Sequence, residues 1–403
     1  MKNRKRMAIL ADRVLTGEEL EAQERRCVLV ENGRIAGILS PAEYEAVKDT
    51  AETMDLGSAT LLPGLFDCHD HLALDAGLKG HLGMMELPEE EHLKLARNGL
   101  RMDLMSGVTT ARCMGDRYFL DIKVRRMIRE GLLEGPDLLC CGIGMRSAGG
   151  HGYVGMPVTG AAAVSDASAT TIAKGADHLK FFVSPGVPVP SPGDEIPCFL
   201  SEEEISAVVR EAHDAHLPVT AHCIGGAGLD LCVRLGVDVL DHLYSVTPEQ
   251  VHMLENDFGG WIDLTSGIVL DEGREAFTPP EQNIKMRKAR AYSRACLQRV
   301  YQSRSVRFTI GTDAYHGMLY KEVEYAVSEG ASRLDALKAV TVNAARMTGT
   351  DRERGRISAG FLADMIAVRT DPLTEPEALK DVFFVMKNGR IVRYDDGKTA
   401  ENS

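Results

Sequence analysis

The chain has 403 residues, of which 44% are hydrophobic, 5% aromatic and 26% charged, with a formal net charge of −13. That length exceeds one small domain and suits a barrel with an accessory domain, while the acidic balance argues against a nucleic-acid surface. No stretch of about 18 apolar residues occurs, and the basic start Met1 to Arg6 leads into no apolar export segment, so neither a membrane span nor a leader is expected. Nine cysteines with no Cys-x-x-Cys spacing fit reduced thiols, and the expected compartment is the cytoplasm.

Residues 7 to 58 read as β-rich. Cys27 to Leu39 is two short strands around Asn32-Gly33, a hairpin signal, and a near copy returns at Val382 to Val392. Two such hairpins at opposite ends predict that residues 1–58 and 349–403 meet in one small β-sandwich domain. Residues 59–348 then form the central body.

The body opens on an apolar strand, Leu61 to Phe66, bent near Pro63-Gly64, which delivers His69 and His71. Residues two apart on a strand share a face, so both imidazoles can grip one metal ion. Glu89 to Met105 and Tyr118 to Gly131 read as helices, with Gly107 to Arg112, Asp137 to Cys141 and Asp177 to Val183 extended. Ser201 to Glu204 is a capping box, backed by a stripe of Ile205, Val208, Val209 and Ala212. Pro218 to His222, Val237 to His242, Gly260 to Leu264 and Val306 to Asp313 complete eight strands, and Thr247-Pro248 opens the helix after His242. Eight βα-type units predict an α/β fold, a (β/α)8 TIM-like barrel. Gly144 to Gly160 and Ser184 to Leu200 read as Gly/Pro-rich loops at its active face.

Apolar strands here repeatedly end on a residue able to bind metal. His69 and His71 end the first, His222 the fifth, His242 the sixth and Asp313 the eighth, while Lys180 lies inside the fourth. The C-terminal strand ends of a parallel barrel converge on one mouth. Singly, His222 or His242 also reads as a core histidine, and Asp313 as a helix cap. Lys180 sits between Leu179 and Phe181, where a charged ammonium is costly to bury. It either pairs with a carboxylate or, as a neutral amine, takes up carbon dioxide to form a carbamate that bridges two metals. Cys68 and Cys223 read as small buried hydrophobes. His92, His213, His216 and His252 lie on helices and are expected at the surface.

Pro63-Gly-Leu-Phe-Asp-Cys-His-Asp-His71, followed in order by Lys180, His222, His242 and Asp313, resembles the amidohydrolase superfamily. Gly355 to Asp364 adds to the match. Gly149-Gly-His-Gly152, His178 to Gly186 and Ala221-His-Cys223 look like its imidazolonepropionase-related branch, which includes binuclear Xaa-Pro dipeptidase-like and carboxypeptidase enzymes. The resemblance implies His69, His71 and Asp313 on one metal, His222 and His242 on a second, and a carbamate on Lys180 bridging them. The metals would be two zinc ions, with manganese, iron or cobalt as alternatives, and a pair about 3.5–4 Å apart polarises a carbonyl and lowers the pKa of a bridging water. Asp313 then suits the general base, and His151 either hydrogen-bonds the substrate or packs its loop.

Two departures touch the substrate pocket. Cys223-Ile-Gly-Gly226 stands where dipeptidase-like relatives carry a tyrosine, and Tyr153 replaces an acidic residue after His-Gly. Tyr153, Tyr244, Tyr315 and His316, on loops after strands three, six and eight, join His151 as candidate substrate contacts. The expected function is metal-dependent hydrolysis of an amide, cyclic amide or related C–N bond in a small molecule. The alternatives are a mononuclear deaminase or imidazolonepropionase-like ring hydrolase using His69, His71, His222 and Asp313, and a non-catalytic scaffold. The expected assembly is a homo-oligomer without nucleic-acid or membrane partners.

Overall fold

Gly64 divides the apolar run that reads as one strand. In the computed structural model, which describes residues 6–395, Thr60–Pro63 and Leu65–Asp70 are separate strands in separate sheets. The N–H of Gly64 donates to Asp364 O at 2.9 Å, and the next N–H, of Leu65, donates to Gly107 O at 2.9 Å. Hydropathy alone does not register this switch, because both halves are fully buried. Residues 1–5 and 396–403, which include most of the basic start and the end of the expected terminal domain, lie outside the described residues.

The first sheet collects strands from both ends of the chain. Arg6–Thr16, Glu21–Glu31, Arg34–Leu39, Glu52–Asp55 and Thr60–Pro63 join Met365–Val368, Val382–Lys387 and Arg390–Tyr394 in one eight-stranded sheet. The two similar hairpins turn alike: Asn32 and Gly33 take φ of +52° and +82°, Asn388 and Gly389 +50° and +71°. Positive φ at both central residues matches the right-handed twist of the flanking strands, and Asn-Gly supplies it cheaply. The tips abut, since a Cβ on Gly33 would lie 2.9 Å from Asn388 O. The expected sandwich is thus hydrogen-bonded as one continuous sheet. Ile9, Val28, Ile35, Leu61, Met365 and Phe384 from its distant strands share one apolar core.

The central body is α/β with a parallel sheet of seven strands. Five are main strands, Leu179–Phe182, Val219–Cys223, Val239–His242, Trp261–Leu264 and Phe308–Ile310. The other two, Met145–Ser147 and Met156–Val158, lie in the stretch that reads as loop; three residues are too few to display alternation. Leu65–Asp70, Val108–Cys113 and Asp137–Leu139 form a further three-stranded parallel sheet. Two backbone bonds link the sheets: Asp313 N–H to His69 O at 2.8 Å and Asp177 N–H to Cys140 O at 2.7 Å.

Helices separate the strands and cover them. Glu202–Asp214 starts at the Ser201/Glu204 capping box and buries Ile205, Val208, Val209 and Ala212. Pro248–Asn256 starts at a second box, Thr247/Gln250. Each Ile or Val side chain buried this way contributes about 1.5–3 kcal/mol relative to leaving it exposed. Parallel pairing sends every strand's C-terminal end to the same side, and the polar residues gather there.

Candidate metal centre

His69 lies within Leu65–Asp70 and His71 just past it, while His222 and His242 end or nearly end their strands. Asp313 follows Phe308–Ile310 by three residues. The rings meet: centroids are 5.6 Å apart for His69 and His71, 4.8 Å for His69 and His242, and 4.4 Å for His222 and His242. Asp313 Oδ1 stands 3.7 Å from His69 Nε2 and 3.6 Å from His71 Nε2. His151 closes the group, 4.5 Å from His222. Gly311 is what admits this approach, since a Cβ there would overlap the His69 backbone.

His242 and Asp313 take left-handed backbones, φ +78° and +55°, as do Leu243 and Ala314 after them. For residues with a Cβ this costs about 1–3 kcal/mol each and persists only where surroundings enforce it. Here the Leu243 N–H bonds Cys223 O and the Asp313 N–H bonds His69 O, holding each bend.

The ring protons can be assigned from their partners. A carbonyl only accepts, so His71 Nδ1–H donates to Gly115 O (2.6 Å) and His222 Nε2–H donates to Pro185 O (2.9 Å). That leaves His71 Nε2 and His222 Nδ1 as lone pairs. His242 Nδ1 lies 2.8 Å from Thr265 Oγ1, which Tyr244 OH also contacts. His69 Nδ1 has no hydrogen-bond partner among the described residues, with Asp263 Oδ2 at 3.5 Å. Burial holds His69 and His222 far below the ordinary imidazole range, His71 below it, and pushes His242 down to about 3. All four rings are neutral at pH 7. Burial would raise the Asp313 carboxyl, but the positive charge gathered around it in acid, on His242, His71, Arg274 and Lys180, outweighs burial and keeps it below its usual value. Neutral imidazoles with directed lone pairs beside a carboxylate are a donor set that fits a divalent metal.

Lys180 Nζ contacts Asp241 Oδ2, and neither side chain is exposed. The contact is the one expected of a lysine paired with a carboxylate. Asp241 and Asp263 had drawn no attention in the sequence, nor had Arg112, which donates to Thr220 Oγ1 and approaches Asp263 Oδ2 at 4.0 Å. Burial raises both aspartates despite Lys180 and Arg112 nearby. Cys68 and Cys223 are fully buried, and all nine cysteines are free thiols.

A family model described as the amidohydrolase family matches residues 60–392. The chain belongs to the amidohydrolase family. It is a hydrolytic enzyme acting on carbon–nitrogen bonds. Ochratoxinase from Aspergillus niger is 27% identical over 375 residues, which cover 83% of this chain and 75% of that protein. A 5-methylthioadenosine/S-adenosylhomocysteine deaminase from Saccharophagus degradans is 24% identical over 380 residues, 86% of this chain and 79% of its own. Among solved structures, a Xaa-Pro dipeptidase with bound methionine in the active site has a TM-score of 0.83 at 25% identity, covering 96% of this chain and 100% of that one.

The amidohydrolase centre opens into a cavity of about 540 Å³, a size suited to a small organic ligand. His71, His151, His222, His242, Tyr244 and Asp313 reach it, as does Tyr153, which is 63% exposed under Arg146. Burial pushes His151 down to about 4, so its ring is neutral. Tyr244 has committed its hydroxyl, which donates to Thr265 O at 2.8 Å.

Tyr315 and His316 do not line the cavity. Tyr315 is packed beneath the Arg274 guanidinium, 4.3 Å from its ring centre. His316 Nδ1 donates to Asp103 Oδ2 at 2.8 Å, with Asp70 Oδ1 at 3.6 Å, so it is spent on buried carboxylates. His92 is another correction: it is buried, bonding Met84 O at 2.8 Å, whereas His213, His216 and His252 are exposed as expected. Sequence reading also passed over Arg274, which lines the cavity after strand seven. A lone cation in Asp271-Glu-Gly-Arg274 carries no local signal of burial.

Proposed function

We propose that this amidohydrolase is a divalent-metal-dependent enzyme that hydrolyses an amide, cyclic amide or related C–N bond of a small molecule, in a closed (β/α)8 barrel. Closure is supported by the eight main strands and by the two backbone bonds that link the sheets. The observation that carries the reaction is the set of lone pairs on His71 and His222, fixed by Gly115 O and Pro185 O, beside Asp313.

His69, His71 and Asp313 would hold one ion and His222 and His242 a second, with Lys180 between them. Zinc suits this nitrogen and oxygen set; manganese, iron and cobalt share it. A bound ion supplies Lewis-acid polarisation of the scissile carbonyl and acidifies water. Asp313, kept ionised, takes the proton from the attacking water and delivers it to the nitrogen as the C–N bond breaks, which yields an acid and an amine. Neutral His151 donates its N–H to the developing oxyanion. Tyr153 and Tyr244 border the bound molecule, and Tyr315 acts from behind, through Arg274. Nine free thiols support a cytoplasmic location.

A single-ion enzyme is the second reading, and the Lys180–Asp241 contact favours it, because it engages the Nζ that a carbamate would be built on. Metal analysis with and without bicarbonate separates the two: two equivalents per chain and a carbamate carbon resonance support the binuclear form, one equivalent the other. Loss of amide hydrolysis on chelation, restored by zinc or manganese, is the expected result for both. Full activity in a metal-free sample overturns the proposal.

A further inference from the structure

Just past the strand Val239–His242 the chain folds back over the histidine that ends it. Left-handed φ at His242 and Leu243 turns the backbone, and the Tyr244 ring comes to lie 5.3 Å from the His242 ring, centre to centre. Thr265 approaches from one residue beyond Trp261–Leu264, the neighbouring strand. All three side chains are buried.

Their contacts determine where the protons sit. Tyr244 OH lies 2.8 Å from Thr265 O and contacts Thr265 Oγ1, which in turn lies 2.8 Å from His242 Nδ1. Each of these three close approaches needs a hydrogen between its atoms, because two bare lone pairs repel. The carbonyl brings none and the two hydroxyls bring one each. His242 Nδ1 must carry the third. One direction then serves all three contacts: Nδ1–H donates to Thr265 Oγ1, Thr265 O–H to the Tyr244 oxygen, and Tyr244 O–H to Thr265 O. The remaining approach, between Tyr244 OH and Nδ1, is longer at 3.3 Å and needs no proton of its own. A ring that keeps its single proton on Nδ1 offers Nε2 as a lone pair.

We infer that Thr265 and Tyr244 are positioning residues for the metal centre, which together hold the His242 proton on Nδ1 and leave Nε2 as the lone pair for the ion. The inference rests on the metal-hydrolase reading above and adds two residues to it. His71 and His222 are directed by backbone carbonyls, which only accept. His242 is directed by a hydroxyl, which can donate or accept, so Thr265 by itself leaves either tautomer open. The Tyr244 link removes that freedom, because it engages the Thr265 proton elsewhere. Tyr244 therefore borders the cavity with its ring, while its hydroxyl is spent inside the wall.

The test begins with NMR of metal-free protein carrying isotope-labelled histidine, the His242 signals being those missing from His242→Gln. Wild type should show His242 protonated at Nδ1 and bare at Nε2. Tyr244→Phe frees the Thr265 proton to turn to Nδ1 and should shift the ring toward the opposite tautomer. Thr265→Val should leave the two tautomers mixed, and Thr265→Ser should keep the wild-type pattern. Competition with a chromogenic chelator should then show the more weakly held zinc bound about 10–100-fold less tightly in Tyr244→Phe and Thr265→Val, with Thr265→Ser close to wild type. The double variant Tyr244→Phe/Thr265→Val should be no weaker than Thr265→Val, because both changes act through one ring. A purely structural role would leave the tautomer where it is. A wild-type ring protonated at Nε2 overturns the inference, and so does zinc affinity unchanged in both Tyr244→Phe and Thr265→Val. Wild type that binds zinc but cleaves no amide fails the hydrolase reading and leaves the positioning role intact.

Discussion

Lys180 and Asp241 face each other from strands Leu179–Phe182 and Val239–His242, across the intervening strand Val219–Cys223, Nζ against Oδ2, with neither side chain reaching solvent. Each is the counter-charge of the other, so Asp241→Asn strands a buried cation and should cost about 3–5 kcal/mol in urea unfolding. The double variant Lys180→Met/Asp241→Leu removes both charges and should recover most of that loss. A near-zero effect of Asp241→Asn would mean that Lys180 has another partner or is modified, which returns weight to the carbamate.

Asp313 is ligand-placed and ionised, next to both first-strand histidines. Asp313→Asn keeps an oxygen donor but no base, so kcat should fall by about 10²–10⁴-fold while at least one metal equivalent stays bound. Stopped assays together with metal analysis of the same sample read both quantities. Unimpaired turnover would remove Asp313 from the proton path.

Gly186 leaves the space that the His151 ring fills, and a Cβ there would overlap it. Gly186→Ala should therefore shift His151 and lower kcat by roughly 10²-fold, the scale of one lost oxyanion donor. His151→Ala/Gly186→Ala should be no slower than His151→Ala, because the two changes act through one ring. Additive losses would show that Gly186 serves something else.

His316 holds its proton between Asp103 and Asp70. Burial by itself would strip that proton, but the two carboxylates outweigh it and hold the imidazole well above its ordinary range. A folded value above the unfolded one, about 6.5, stabilises fully below that pH and fades as pH rises through the folded value. Urea unfolding of wild type and His316→Gln should thus differ most near pH 6 and converge under alkaline conditions. A gap that stays constant with pH would assign the effect to packing.

Local order was legible without coordinates wherever one period dominates. The apolar runs, the Ser201 and Thr247 caps and both Asn-Gly hairpins depend on neighbours a few residues away, and they recur in the structure, the first run divided in two at Gly64. The histidines and Asp313 at strand ends were visible for the same reason, since a polar residue that stops an apolar run marks a change of environment. Gly64, Met145–Ser147 and Met156–Val158 escaped because a sheet switch or a three-residue strand leaves no period to read.

What the sequence by itself determined, then, was the alternation of strand and helix, the family resemblance and the residue types offered at the strand ends. Only the tertiary structure decided how charges were matched: that Lys180 meets Asp241, 61 residues away, that His316 is locked between Asp70 and Asp103, and that Arg274 has two guanidinium nitrogens without a hydrogen-bond partner among the described residues. Periodicity is set by backbone geometry within a turn or a pleat. Pairing between buried charges depends on which strands become neighbours and on what they exclude from water, and no short stretch of sequence carries that information.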